Sequence, residues 1–243
     1  MMDYHVYLNG YGGLERLPDY QNVATTYDKF ATFGAAWTYK HRKASLGAVD
    51  HEKGMLTRFR TDNTLVNGRL YSKFIGRLDL GVPLFLHHSS IWLRSSAGYG
   101  TGDRDNPFAN FFFGGFGNNW IDYRTEKRYR ETHAFPGFEL NELGGTNFAR
   151  AVLDLNLPPL RFRHLGWQAL HLTWIRCSLF SSLLRTNLDN REYRSTRFNA
   201  GAQMDLRFML LSRLRLTVSV GYAAGFDDRE YLSDEWMASL KVL

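Results

Sequence analysis

The sequence predicts an all-β protein: an antiparallel transmembrane β-barrel of about ten to twelve strands with one long loop. The main observation is that apolar and polar residues alternate with a period of two, which places each kind on its own face of a strand. The pattern is clearest in Phe198–Leu210, where Phe198 and Met204 lie on the apolar face and Gln203 and Asp205 on the polar face. A run of roughly 9–11 such residues is long enough for a tilted strand to cross a bilayer.

Composition is compatible with this class and excludes others. The 243 residues suffice for one large all-β domain covering 1–243. The mean hydropathy is −0.35, and no stretch approaches the ~20 apolar residues of a membrane helix, so a helical membrane protein is excluded. The net charge of +6 is spread along the strands, so we expect no nucleic-acid partner. The start carries no signal-peptide pattern, and we therefore expect the mature or C-terminal part of a larger precursor.

Ten segments alternate well enough to be predicted as strands. They are Tyr4–Gly12, Tyr27–Lys40, Met55–Leu65, Leu70–Leu84, Ile91–Gly100, Asn147–Leu157, Trp167–Leu184, Phe198–Leu210, Leu214–Tyr222 and Trp236–Leu243. A further pair that includes Lys43–Asp50 would raise the number to twelve. Asn67-Gly68 predicts a tight hairpin turn. Trp167–Leu184 changes its apolar face midway, which indicates either a β-bulge or a strand that is apolar on both faces in a soluble sandwich.

The connections predict which ends of the strands lie together. Short connections are expected at Leu84–Ser89, Leu157–Gly166 and Leu211–Arg213, and longer polar ones at Arg185–Arg194 and Gly225–Glu235. Bacterial outer-membrane barrels have short periplasmic turns and longer external loops, so we expect both termini on the periplasmic side. Thr101–Leu143 is then one long loop on the external side. The short last strand, next to the first, is predicted to form a seam that opens laterally.

Charged residues recur on the polar face, which we expect to line a hydrated lumen. The predicted lumen charges are Arg77, Asp79, Arg94, Arg150, Asp154, Asp205, Arg207 and Arg215. A basic run, 123–130, stands inside the long loop. It has three possible roles: pairing with wall carboxylates from the inside, contacting lipopolysaccharide phosphates from the outside, or forming a solvated loop.

Two short motifs at the ends of the long loop match a known family. Phe112, Phe113, Gly114 and Gly115 form an aromatic-aromatic-Gly-Gly element, and Leu143-Gly144-Gly145 with Asn147 precedes the next strand. In this order they resemble the barrel of the bacterial surface antigen superfamily, which includes outer-membrane assembly factors and two-partner-secretion transporters. In that family the first element opens a loop that folds back into the lumen, and the second begins the next strand.

The resemblance implies a plug inside the barrel. Its residues would be Phe112, Phe113, Gly114, Gly115, Phe135, Gly137, Leu143, Gly144 and Gly145. The family's loop also carries an Arg-Gly-aromatic motif that ties it to an acidic wall residue. That motif is absent here, since Pro136 stands where the Arg would be, so the locking role is in question.

The expected function is therefore physical rather than chemical. We expect a barrel of a Gram-negative bacterial outer membrane that acts in protein insertion, translocation or transport. Its partners would be outer-membrane lipid and lipopolysaccharide, with possible protein cargo or accessory subunits. A passive pore or membrane anchor of a larger surface protein is one alternative, and a soluble lipid-binding β-barrel or sandwich is another. Hydrolase, metalloprotease and phosphate-loop motifs are absent, so no catalytic residue, metal or cofactor is expected.

Overall fold

The computed structural model describes residues 2–12, 29–117, 127–167, 169–211, 213–227 and 230–242. Thirteen strands account for most of them: β1 Met2–Gly12, β2 Lys29–Lys43, β3 Lys53–Val66, β4 Arg69–Pro83, β5 Ser90–Gly100, β6 Phe111–Phe113, β7 Leu143–Gly145, β8 Asn147–Asn156, β9 Leu160–Gly166, β10 Leu170–Thr186, β11 Ser195–Leu210, β12 Leu214–Asp227 and β13 Glu230–Val242. Within these ranges no helix is long and apolar enough to span a membrane.

Eleven strands form one antiparallel sheet, which confirms the predicted all-β antiparallel class. The order is β1-β2-β3-β4-β5-β8-β10-β11-β12-β13, with β9 beside β10, and β6 and β7 form a separate two-stranded sheet. β5 pairs directly with β8. The 46 residues between them therefore leave the sheet and return to the adjacent position, which brings both ends of this segment together.

β8 and β9 follow one another along the same edge of β10. β8 pairs with Ser178–Thr186, and β9 pairs with the earlier part of β10, from His171 to Ile175. Pro158-Pro159 interrupts them, because proline has no N–H for the ladder. The predicted short connection Leu157–Gly166 is thus wrong, since most of it is strand.

The predicted closure into a barrel is not seen in the described residues. β1 pairs only with β2, and β13 only with β12, so the two form the edges of the sheet. The sheet nevertheless curls strongly. This is seen from one cavity that is lined both by Arg42 at the end of β2 and by Lys241 at the end of β13. The coarser prediction, a large curved antiparallel sheet, is the part that holds.

Local predictions had mixed outcomes. Asn67 and Gly68 form the expected turn, with φ of 47° and 78°, and β10 has the expected bulge between Leu172 and Trp174. Lys43–Asp50 does not form an additional strand pair, because residues 44–52 connect β2 to β3. The predicted loop Gly225–Glu235 and the short last strand are also wrong, since β12 and β13 pair out to Asp227 and Glu230.

The two faces of the sheet carry opposite chemistry. Along β8 the residues Phe148, Arg150, Val152, Asp154 and Asn156 are buried, whereas those between them are partly or fully exposed. The exposed face is lined with large apolar side chains in every long strand from β3 to β13, among them Phe59, Leu78, Leu93, Leu153, Leu179, Phe198, Met204, Tyr222 and Trp236. The concave inner face holds the buried charges, and residues 101–117 and 127–146 of the intervening segment pack against it.

Candidate functional site

The segment between β5 and β8 is anchored first by its own two ends. β6 pairs with β7 so that Phe111 faces Gly145, Phe112 faces Gly144 and Phe113 faces Leu143. The two motifs that resemble the surface antigen family are therefore neighbours in space. The other described parts of the segment lie inside the curled sheet rather than outside it. Its middle part, residues 118–126, falls outside the described residues.

An aromatic cluster fixes this segment to the wall. Phe111, Phe113 and Phe135 pack with Phe138 of the segment and with Phe148 of β8. Phe113 meets the Phe148 ring edge-on at 4.7 Å between ring centroids, and Phe111 does so at 4.9 Å. Phe113 and Phe135 are fully buried, so each contributes roughly 1.5–3 kcal/mol of burial free energy. Phe112, on the other side of the small hairpin, remains exposed.

A close backbone contact fastens the segment to the last two strands. Gly137 has a φ of 90°, and a Cβ there would lie 2.6 Å from the backbone nitrogen of Gly225 on β12. Only glycine allows this approach with that backbone conformation. The Gly137 N–H donates to Glu235 of β13 at 3.1 Å, and the Phe116 N–H donates to the same carboxylate at 2.9 Å. Gly114 and Gly115 also have positive φ.

A short basic turn forms the centre of the contact. Arg128–Arg130 is a turn of 3₁₀ helix, and all three residues are buried. Arg130 Nε lies 2.8 Å from Asp154 Oδ2 of β8, and Arg130 Nη1 lies 2.7 Å from Asp50 Oδ2. Its Nη2 donates to Asn156 Oδ1 at 2.9 Å. Of the three roles considered for this run, its described part therefore has the first, pairing with wall carboxylates from the inside.

Tyr129 adds an apolar and a polar contact at the same place. Its ring stacks on Phe180 of β10, with 4.2 Å between the centroids and 9° between the planes. Its hydroxyl donates to Asp154 Oδ1 at 2.7 Å. Burial raises the pKa of Tyr129 well above its usual range, so the phenol stays protonated and remains a donor. Asp154 thus accepts a hydrogen bond from Tyr129 and forms an ion pair with Arg130. We call Lys127, Arg128, Tyr129 and Arg130 together the lock.

The wall continues the lock into a chain of alternating charges. Asp154 also accepts from Arg94 at 3.0 Å, and Arg94 donates to Asp79 at 2.8 Å. Arg77 makes two further contacts to Asp79, at 2.9 and 2.7 Å. Since every member is buried, removing one would leave its partners as uncompensated charges in a medium of low polarity.

Lys127 and Asp50 show how burial and neighbours set the charge state of the lock. Lys127 donates to Ser178 Oγ and lies 3.4 Å from Asp205. Burial, reinforced by the nearby Arg176, lowers the pKa of Lys127 to about 7. Burial alone would raise the pKa of Asp50, but Arg130 and Arg176 hold this pKa well below its usual range.

The predicted lumen charges fall into two groups. Arg77, Asp79, Arg94, Arg150, Asp154 and Asp205 are buried on the inner face. Arg150 reaches the segment itself, donating to the backbone oxygens of Tyr129, Glu131 and Thr132. Arg207 is half-buried and Arg215 is exposed, because both stand near strand ends, beyond the part of the inner face that the segment covers.

Sequence reasoning placed Arg130 in a basic run that could pair with wall carboxylates, and Arg130 does pair with Asp154. It missed two elements of the site. Asp50 reaches the lock from the β2–β3 connection, and Glu235 binds the segment from β13. Across the described ranges, no group of three His, Cys, Asp or Glu side chains is placed to hold a metal ion.

Comparisons with known proteins add no family to this picture. Neither a protein-family model nor a curated protein matches the chain.

Proposed function

We propose that this chain is a β-barrel of a bacterial outer membrane whose lumen is closed by the locked segment, and that it acts in protein insertion, translocation or transport across that membrane. The observation that carries the proposal is the inverted distribution of side chains. Large apolar residues cover the outer face, while ion pairs and a folded-back segment fill the inner side. A soluble sheet would expose the charges and bury the apolar face.

Lipid is the covering that fits the outer face best. A membrane β-barrel presents an apolar band outward and a polar interior, and the strands here are long enough to cross a bilayer when tilted. Backbone groups in lipid must all be paired, so the free edges of β1 and β13 need partners. Closure of β1 on β13 would provide them, and the cavity shared by β2 and β13 supports this closure.

The arrangement of the connections supports the proposed orientation. The β2–β3, β4–β5, β8–β10 and β11–β12 connections lie at the end of the sheet that also holds both described chain ends, Met2 and Val242. The 46-residue segment and the β10–β11 loop lie at the opposite end, together with the two-residue β3–β4 and β12–β13 connections. In bacterial barrels the longer loops are external. The outer rim would then meet lipopolysaccharide, and protein cargo would enter through the interior.

The pairing of β6 with β7 supports the resemblance to the surface antigen superfamily. The two motifs that define it in this sequence form one hairpin at the base of the segment. Arg130 supplies the cation that the expected motif lacks, and its partner Asp154 lies on the strand that follows the segment. We therefore propose that the internal segment is tied to an acidic wall residue, as in that superfamily, but by an Arg at a different position.

Conductance across a planar bilayer tests whether the segment is a plug. The unlocked variant combines Arg130→Gln with Glu235→Gln. The control is Arg104→Gln, which breaks an exposed pair with Asp189 and a contact with the exposed Tyr193 ring. We expect small, rare openings for the unaltered chain and the control, and large stable openings for the unlocked variant. Full conductance of the unaltered chain would contradict a plugged lumen.

The many contacts that hold the lock in place favour a second candidate function, a static membrane anchor of a larger surface protein. Lys127, Arg128, Tyr129 and Arg130 are all held by wall or backbone partners, which suits a segment that never moves. A disulfide joining the segment to the wall separates the two candidates. Transport that stops on oxidation and recovers on reduction indicates a moving plug, and unchanged behaviour indicates the anchor.

A further inference from the structure

A large cavity occupies the end of the interior where both described chain ends lie. It has a volume of about 1010 Å³ and lies next to the lock, which supplies Lys127 and Arg130 to its lining. The other lining residues come from the β2–β3 connection and from β2, β9, β10, β11, β12 and β13. Strands from opposite parts of the curled sheet line the cavity, and Arg161 and Arg163 in its lining are exposed. The cavity is therefore a chamber that is open to solvent on one side.

The lining has a strong excess of positive charge. Eight basic side chains face two carboxylates, Asp50 and Asp205; the basic ones are Arg42, Lys127, Arg130, Arg161, Arg163, Arg176, Arg207 and Lys241. Both carboxylates are already in ion pairs. Asp50 lies 2.7 Å from Arg130 and 3.3 Å from Arg176, and Asp205 lies 2.8 Å from Arg176. Both carboxylates are therefore committed to Arg130 and Arg176.

Three arginines are in a position to receive an anion. Over the described ranges, no carboxylate lies within ion-pairing distance of Arg161, Arg163 or Arg207. Arg161 and Arg163 are two apart on β9, so both point to the same side of that strand. Arg207 is held by a hydrogen bond from its Nε to Thr217 Oγ1 at 3.1 Å and lies over the Trp174 ring at 5.3 Å from the centroid.

Buried polar atoms without a partner lie in the same wall. Arg176 Nε, Thr173 Oγ1 and Gln203 Oε1 are buried and make no hydrogen bond to the described residues. All three residues line the chamber. A buried donor or acceptor left unsatisfied costs about 1–3 kcal/mol, so these atoms favour occupation of the chamber by a polar ligand.

We propose that this chamber binds a phosphate-bearing anion with several negative charges. Guanidinium groups match phosphate oxygens with two parallel hydrogen bonds, and a cleft whose charges are mostly of one sign attracts a ligand of the opposite sign. Arg163 and Arg207 are the receiving groups, and Arg176 supports them from the Asp50–Asp205 network. This binding takes place whichever apolar partner covers the outer face, so it is independent of the proposed transport role.

Calorimetric titration of the folded full chain in detergent tests the proposal. The probes are inorganic tripolyphosphate, for a soluble polyphosphate, and dihexanoyl phosphatidic acid below its micelle concentration, for a lipid headgroup. We expect one of them to bind with a Kd that weakens at least tenfold in Arg163→Gln/Arg207→Gln. The tighter probe identifies the source of the phosphate.

The matched control is Arg191→Gln, because Arg191 is exposed on the β10–β11 loop at the opposite end of the sheet. It removes a positive charge and should leave the Kd within twofold of the unaltered chain. Far-UV circular dichroism and the thermal midpoint confirm that all variants are folded. Absence of binding for both probes overturns the proposal, and so does an equal loss of affinity in Arg191→Gln, since that would reflect net charge alone.

Discussion

The outer and inner faces of the same strands carry opposite kinds of side chain. On β11, Phe198 and Met204 expose 41% and 38% of their surface, whereas Gln203 and Asp205 expose 4% and 3%. The inner face is held by ion pairs and hydrogen bonds to the folded-back segment. The outer face has no such partner among the described residues, so its stability depends on the medium that covers it.

The largest expected effect comes from removing an inner carboxylate. Asp154→Ala leaves Arg94 and Arg130 without their shared partner, and breaking a buried pair in this way costs about 3–5 kcal/mol. Urea unfolding of the folded chain in detergent measures the loss. The control is Asp227→Ala, which breaks a partly exposed pair with Arg197 and should cost less than about 1 kcal/mol. Equal costs for the two variants would show that the inner network does not hold the fold.

The next effect comes from placing a charge on the outer face. Met204→Arg lies near the middle of β11, and in lipid a midplane Arg costs about 2–4 kcal/mol. Leu214→Arg, at the start of β12, lies near the edge of the apolar band and should cost about 0–1 kcal/mol. Unfolding in vesicles measures both. If the two variants were equally tolerated, the proposed depth dependence, and with it the bilayer, would be ruled out.

The smallest effect is a pH dependence of the lock. The Lys127 pKa is about 7 in the folded chain and about 10.4 in an unfolded one. Between these values the unfolded chain binds more protons, so the free energy of unfolding rises with pH, by at most about 1.4 kcal/mol per unit.

Comparing unfolding at pH 7.5 and 9.5 with Lys127→Met isolates this contribution. The variant keeps the length of the side chain but cannot titrate, so its stability should change less with pH than that of the unaltered chain. A variant with the same pH slope would place the titration elsewhere in the protein.

Sequence alternation predicted the faces of the long strands because it reports burial directly. In β11 every inward residue that the structure buries belongs to the polar set predicted from the pattern. Alternation does not predict the ends of strands where the backbone hydrogen bonds continue beyond the last buried side chain. β12 and β13 pair as far as Asp227 and Glu230, and β9 pairs with β10 although Pro158-Pro159 precedes it. Polar residues at such strand ends satisfy the ladder without any periodic signal.

The sequence predicted which strand residues line the inner face, but not which residues of the folded-back segment contact them. Asp154 and Arg94 were expected on the inner face because each occupies a polar position of an alternating strand. Which cation meets Asp154 depends on how a long irregular segment folds back, and no period of the sequence encodes that path. Arg130 and Asp50 therefore came from the structure, as did the contact of Gly137 with Gly225.

Quenching of two single-tryptophan proteins by lipids brominated at mid-chain tests the central claim most directly. One protein keeps Trp236, 71% exposed on the outer face, and the other keeps Trp92, 1% exposed on the inner side; the remaining five tryptophans of each are replaced by phenylalanine. After refolding into vesicles, we expect strong quenching of Trp236 and little of Trp92. Equal quenching of the two, or a chain that stays monodisperse in buffer without detergent and shields Trp236, would contradict the assignment of the outer face to lipid.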